Sequence, residues 1–225
     1  MSKEKPISVI ISTRKIDENY KKHIIESFNN RDTQILMYEN DNQFSLSELY
    51  NKGLDESVND IVVFMHDDIV INTPDLTPKI HHLFKKNKEH GIIGVAGTDN
   101  LISGMWWELR ESMYGMVNHE ANGSVYPSIY NEQRFNDKVK DVVIIDGLFM
   151  MVDKTRIKSR FNEEFKGFHF YDLPFCVENL NNGVKIGVTT KIRVTHKSVG
   201  VTNKQWEKNK LFFEALYGSL LPLKL

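Results

Sequence analysis

Along the first hundred residues the apolar positions alternate between two periods. Residues 7–12, Ile-Ser-Val-Ile-Ile-Ser, form a β-branched run that reads as a strand, and residues 17–29 follow with helical spacing. Residues 34–38 give a second short strand. Ser45-Leu46-Ser47-Glu48 then matches a capping box, with Phe44 placed as its hydrophobic staple, and opens a helix ending near Gly53 or slightly later. Residues 61–65, Ile-Val-Val-Phe-Met, are apolar without a break, as a strand buried on both faces of a sheet requires. A helix over residues 76–89 is stopped by Gly91, and residues 92–96 make another strand. Strands separated by helices predict an α/β fold: a mostly parallel central sheet flanked by helices, with right-handed crossovers.

The pattern changes after Gly97. Residues 98–140 are rich in Gly, Asn and aromatics, and Asn122-Gly123 marks a hairpin turn. Regular signals return as strands over 142–145 and 148–152, a helix around 172–181, and strands near 184–188 and 192–195. A last amphipathic helix carries Trp206, Phe213, Leu216 and Tyr217 at spacings that share one face. No repeat, low-complexity tract or linker divides the chain. Residues 1–225 are therefore expected to form a single domain, regular over 1–97 and irregular, with a substrate-shaping role, over 98–225.

Composition narrows the function classes. The 225 residues suffice for one substantial α/β domain, and 40% hydrophobic with 26% charged residues rules out wholesale disorder. The net charge is -1, and Lys85, Lys86 and Lys88 read as a solvated helix face, so nucleic acid is not an expected partner. Cys176 is the only cysteine, which excludes an internal disulfide and favours a reducing compartment. Residues 1–12 lack a signal-peptide pattern, and no apolar stretch approaches the ~20 residues of a membrane helix. A cytoplasmic location is expected.

The segment with the clearest chemistry is Phe64-Met65-His66-Asp67-Asp68-Ile69. Two adjacent carboxylates directly after a buried strand sit at the carboxyl edge of the sheet, where open α/β sheets bind ligands. Like charges so close raise each other's pKa unless a cation or solvent compensates. A divalent ion such as Mg²⁺ or Mn²⁺ is a natural compensator. The alternative is an exposed acidic turn in which Asp68 only helps to end the strand.

Other segments fall in a consistent order around that one. Ser8-Val9-Ile10-Ile11-Ser12-Thr13-Arg14 forms the first strand and its end, Glu39-Asn40 follows the second strand, and Asn51-Lys52-Gly53 lies in a helix. Phe170-Tyr171-Asp172 opens a later helix, Gly183-Val184-Lys185-Ile186 leads out of it, and His196 follows the next strand. Over roughly residues 7–200 this series resembles family 2 glycosyltransferases of the GT-A fold, a Rossmann-like fold that binds nucleotide-diphospho-sugars. The resemblance makes 1–97 the nucleotide-binding half and 98–225 the acceptor and catalytic half. It implies that Thr13, Arg14, Glu39, Asn40, Asn51 and Gly53 lie along the nucleotide, with His66 or Asp67 on the ribose or a metal-bound water. Asp68 and His196 become the ligands of Mn²⁺ or Mg²⁺, and Asp172 the catalytic base. Asp146-Gly147 would border the donor sugar and the acceptor. The chain departs from the family pattern at two places. His66 replaces the first Asp of Asp-x-Asp, and Tyr171 stands where an acidic residue commonly precedes the catalytic Asp.

The implied function is transfer of a sugar from a nucleotide-diphosphate sugar, with a UDP-sugar favoured, to a glycan or other hydroxyl acceptor. Inversion, metal dependence and a role in bacterial-type surface polysaccharide or glycoconjugate synthesis go with it, as does a peripheral place at the inner membrane face. Two other readings stay open. A sugar nucleotidyltransferase would carry a Gly-rich basic loop after its first strand, whereas Ser12-Thr13-Arg14-Lys15-Ile16 has no glycine. A non-catalytic nucleotide-sugar or glycan-binding relative would fit the altered metal motif. Trp106 and Trp107 could form a platform for an acceptor sugar ring, or else pack the core beneath a loop. Cys176 reads as a packed core residue, and His81-His82 as part of a surface helix. Asp172 could be only a helix N-cap, since Asp is favoured there.

Overall fold

The computed structural model describes residues 4–131, 139–198, 200 and 202–225. In chain order the strands and helices are β1 (Ser8–Thr13), α1 (Glu18–Phe28), β2 (Gln34–Glu39), α2 (Leu46–Glu56), β3 (Ile61–Met65), β4 (Ile69–Ile71), α3 (Leu76–Lys86), β5 (His90–Gly94), β6 (Ala96–Thr98) and β7 (Asn100–Leu101). The second half continues with β8 (Met113–Ala121), β9 (Ser124–Tyr130), β10 (Lys140–Val142), β11 (Ile144–Ile145), β12 (Phe149–Asp153), α4 (Asp172–Asn181), β13 (Lys185–Val188), β14 (Val194–His196), α5 (Lys204–Tyr217) and β15 (Leu223–Lys224).

A seven-stranded sheet in the order β10-β13-β5-β12-β3-β1-β2 forms the centre. β1 pairs parallel with β2 and β3, and β13 pairs parallel with β5, but β12 lies antiparallel between β3 and β5. The α/β GT-A-type architecture is as expected, with a mixed sheet. The large sheet draws β10, β12 and β13 from the second half, so the two halves of the chain interleave. Every residue of β3 and of β12 is buried, which explains the apolar runs 61–65 and 149–152; Asp153, at the end of β12, pairs with Arg156.

Local signals explain most helix ends. Ser45 accepts from the Glu48 N–H while the Glu48 carboxylate accepts from the Ser45 N–H, so the capping box is closed. Phe44 itself is 54% exposed and does not act as a buried staple. α2 packs closely on β1 because residue 53 is glycine; a Cβ there would lie 2.6 Å from Ile10. Of the four residues expected on the buried face of α5, Phe213 is fully buried but Leu216 is 44% exposed.

The unanticipated element is a second sheet, β11-β6-β8-β14-β4, with β9 paired to β8. β8 and β9 form a long hairpin in which Asn122 (φ 52°) and Gly123 (φ 74°) occupy the two turn positions. Both have positive φ, as a two-residue turn matched to strand twist requires. Residues 132–136, part of the segment expected on the acceptor side, lie outside the described residues. No helix among the described residues is long and apolar enough to cross a membrane.

Candidate active site

Two strands meet at the edge where β3 ends. The chain leaves β3 through His66, Asp67 and Asp68 and enters β4 directly. β14 runs antiparallel to β4 with His196 opposite Ile69, and the Lys197 N–H donates to the Asp68 carbonyl at 3.0 Å. That pairing carries His196 across 128 residues of sequence to the carboxylates. Tyr20 of α1 holds the turn from beneath, its hydroxyl lying 2.7 Å from the Ile69 carbonyl and 3.1 Å from that of His66.

His66, Asp68 and His196 each offer one ligand atom, and these atoms all lie within 4.8 Å of one another. His196 Nε2 stands 3.3 Å from Asp68 Oδ1. The contact lacks hydrogen-bond geometry and is an ion pair only when His196 is protonated; Oδ1 is buried with no hydrogen-bond partner among the described residues. Burial opposes ionisation of Asp68, but His196 and Ser198 beside it outweigh that and hold its pKa at about 2. Burial also pulls the His196 pKa down, and Asp68, helped by Asp146, more than reverses this. His66 goes the other way: burial, then the neighbouring His196, push it down to about 4. An ionised carboxylate oxygen lacking a hydrogen bond, next to imidazole nitrogens, is the kind of donor set a divalent cation satisfies, so these residues fit one.

The second carboxylate group lies at the start of α4. Asp172 is the first residue of that helix, and Tyr171 occupies the cap position, with no side-chain cap hydrogen bond. Asp172 is therefore not an N-cap. Its Oδ2 accepts from the Gly147 N–H at 2.8 Å and its Oδ1 from its neighbour Leu173 N–H at 3.0 Å. Burial, reinforced by the Asp146 charge, pushes its pKa up to about 7 despite those donors. Burial raises the pKa of Asp146 as well, against the pull of His196. Asp172 is thus coupled electrostatically to Asp146, Asp146 to His196, and His196 to Asp68.

A scan against family models matches residues 10–217 to the glycosyltransferase-like family. The chain belongs to that family. Its fold is the GT-A fold, and solved structures agree on this. The structure of GalNAc-T7 with UDP, GalNAc and Mn²⁺ superposes with a TM-score of 0.58 at 7% identity over 96% of this chain. This chain spans only 48% of the GalNAc-T7 chain, about half its length. A197 from STIV superposes with a TM-score of 0.50 at 11% identity, covering 87% of each chain. No curated protein matches the chain by sequence.

The remaining sequence candidates divide into two groups. Thr13 ends β1 and uses its hydroxyl to bond the Lys15 carbonyl at 2.9 Å, while Arg14, Glu39 and Asp67 are exposed. Asn40 and Asn51 are buried and occupied within the chain itself. The Asn40 amide closes the loop to Phe44, at 2.9 Å to the Phe44 carbonyl and 3.1 Å from its N–H. Asn51 clamps Phe161 through both its N–H and its carbonyl, at 3.0 and 2.9 Å. Gly53 contacts Ile10 in the helix–sheet interface. Trp106 is 6% exposed and packs inside, whereas Trp107 is 41% exposed with its ring centroid 5.9 Å from that of Trp206. Cys176 is fully buried, as read from sequence.

Two site residues escaped the sequence. Tyr20 braces the acidic turn, yet a tyrosine on a helix carries no signal of that role. His119 on β8 lies opposite His196 in the register, with ring centroids 5.9 Å apart, and its Nδ1 is buried without a hydrogen-bond partner among the described residues. Asn118-His119-Glu120 reads as ordinary strand surface until β8 is known to flank β14.

Proposed function

We propose that the chain transfers a sugar from a nucleotide-diphosphate sugar to an acceptor hydroxyl with inversion, and that Asp172 is the catalytic base. The observation that carries this reading is a buried carboxylate tuned towards neutral pH beside a cluster fit for a divalent ion. A general base works best with its pKa near the operating pH. The acceptor oxygen attacks the anomeric carbon, the bond to the diphosphate oxygen breaks, and the acceptor proton passes to Asp172. Gly147 and Leu173 orient the carboxylate through their N–H groups. Asp68 and His196 would hold the divalent ion, whose chemistry when bound is Lewis-acid neutralisation of the departing diphosphate. The His196 imidazole beside a carboxylate favours Mn²⁺ over Mg²⁺, which prefers an all-oxygen shell.

UDP is the nucleotide we favour, since Glu39 at the end of β2 suits a ribose and uracil and the fold neighbour GalNAc-T7 binds UDP. We assign residues 1–225 to one GT-A unit at the cytoplasmic face of the membrane, in surface glycoconjugate synthesis. A thermal-shift screen of nucleoside diphosphates tests the donor class. UDP with Mn²⁺ at 100 times its dissociation constant should add ~2.7 kcal/mol of stability. No shift with any nucleoside diphosphate would remove the donor assignment.

On the acceptor side, exposed Trp107 is the ring we expect to stack on a sugar, with Trp206 beside it. Trp107→Ala should impair transfer at fixed acceptor concentration while leaving UDP affinity unchanged in calorimetry. Wild-type transfer kinetics in a folded Trp107→Ala protein would reassign this surface.

A further inference from the structure

The two departures from the family pattern, His66 and Tyr171, touch each other. They stand 105 residues apart in sequence, and His66 Nε2 lies 2.6 Å from the Tyr171 hydroxyl oxygen. That hydroxyl cannot wander. Tyr171 is 4% exposed, with its ring edge-on to Tyr50 at a centroid distance of 5.4 Å. Its other side rests on Gly147, where an added Cβ would come within 2.2 Å of the hydroxyl oxygen. Gly147 therefore serves both residues: it makes room for the Tyr171 ring, and its N–H holds Asp172.

A phenol is a donor and acceptor, and it keeps its proton at neutral pH. Among the described residues the contact with His66 is the hydrogen bond that the Tyr171 hydroxyl makes. If the hydroxyl donates to Nε2, both groups are satisfied. If His66 donates instead, the buried phenolic proton is left without an acceptor, which is costly. A neutral imidazole that accepts at Nε2 carries its proton on Nδ1. An acidic side chain at position 171 would select the opposite tautomer, because a carboxylate only accepts.

We infer that Tyr171 is a positioning residue that locks His66 in the Nδ1–H form, so that His66 presents an N–H donor to the sugar-nucleotide's ribose or phosphate oxygens. The Tyr171–His66 pair takes His66 out of metal ligation and leaves the divalent ion to Asp68 and His196. The two sequence changes act as one device: a carboxylate acceptor becomes a neutral donor, and the residue facing it changes to match. This assignment rests on the glycosyl-transfer reading for its ligand, but not for its tautomer.

The test is a ¹⁵N–¹H correlation spectrum of protein labelled at histidine nitrogens, without metal or nucleotide at neutral pH, with the His66 signals assigned through His66→Asn. Wild type is expected to show a proton on Nδ1 and none on Nε2. Tyr171→Phe keeps the ring and removes the hydroxyl, and should shift His66 towards the Nε2–H form that free imidazole favours. A wild-type His66 protonated on Nε2 would overturn the inference, as would a Tyr171→Phe spectrum identical to wild type. Should Tyr171→Phe fail to fold, the wild-type tautomer decides alone. Neither donor nor acceptor is needed, so the outcome is independent of the transfer reading.

Discussion

Replacing Asp172 with asparagine is expected to slow sugar transfer ~10²-fold or more while the protein stays folded and binds its donor. Asparagine is nearly isosteric but cannot take the acceptor proton. It also keeps only one of the two oxygens that accept from Gly147 and Leu173. One backbone N–H would then face an amide, a loss of about 1–3 kcal/mol, offset in part because the repulsion from Asp146 disappears. The pH profile gives a second readout. The base must be ionised to act, and its pKa is pushed up to about 7. Below that pH the rate should fall, and it should rise to a plateau above it. Because Asp146 and Asp172 interact, the limb reports the pair rather than one residue. In the Asp172→Asn variant that limb should be lost along with the rate. Near-normal turnover in the variant would reassign Asp172 as structural and make Asp146 the next base to test.

Asp68→Ala should remove the metal dependence of nucleotide binding. Losing even an outer-sphere partner typically costs a metal site ~10–100-fold in affinity, so loss of a carboxylate ligand should cost at least that. The wild-type site should also be pH-sensitive. His196 ligates only when neutral, and Asp68, outweighing burial, raises its pKa above the ordinary value. Mn²⁺ affinity should therefore hold above that raised pKa and weaken as pH falls through it, with protons released on binding. Calorimetry of UDP with Mn²⁺ and in EDTA, for wild type and Asp68→Ala, reads both effects. Equal UDP affinity in Mn²⁺ and in EDTA for the wild type would end the shared-metal assignment.

Most of the first half of the fold could be read directly from the chain. Strand β3 announces itself by five buried apolar residues, and the Ser45–Glu48 box by its spacing, because these signals are local. Direction is not local. Residues 149–153 are buried on both faces, so nothing in Phe-Met-Met-Val-Asp says that β12 runs antiparallel to β3. The β8–β9 hairpin was legible only at its Asn122-Gly123 turn. Gly115, with φ 115° and room for no Cβ beside the Val95 carbonyl, interrupts the alternation that would have revealed the strand.

The site divides the same way. His66 and Asp68 follow, and Asp172 opens, elements with strong local signals, and His196 could be placed by its strand. Tyr20, His119 and the Tyr171 contact depend on which strands and helices become neighbours, which no spacing records. Asn40, Asn51 and Gly53 show the converse limit. A motif fixes residue identity, and here the structure uses the Asn side chains and the Gly53 backbone for loop closure and helix packing.

The most direct test of the account is product identification after incubating the protein with a panel of UDP-sugars and Mn²⁺. The account predicts slow release of UDP and free sugar without acceptor, accelerated when a hydroxyl acceptor is present and abolished by EDTA. Release of pyrophosphate instead, or no turnover of any nucleotide sugar in the presence of Mn²⁺ and acceptors, would contradict it.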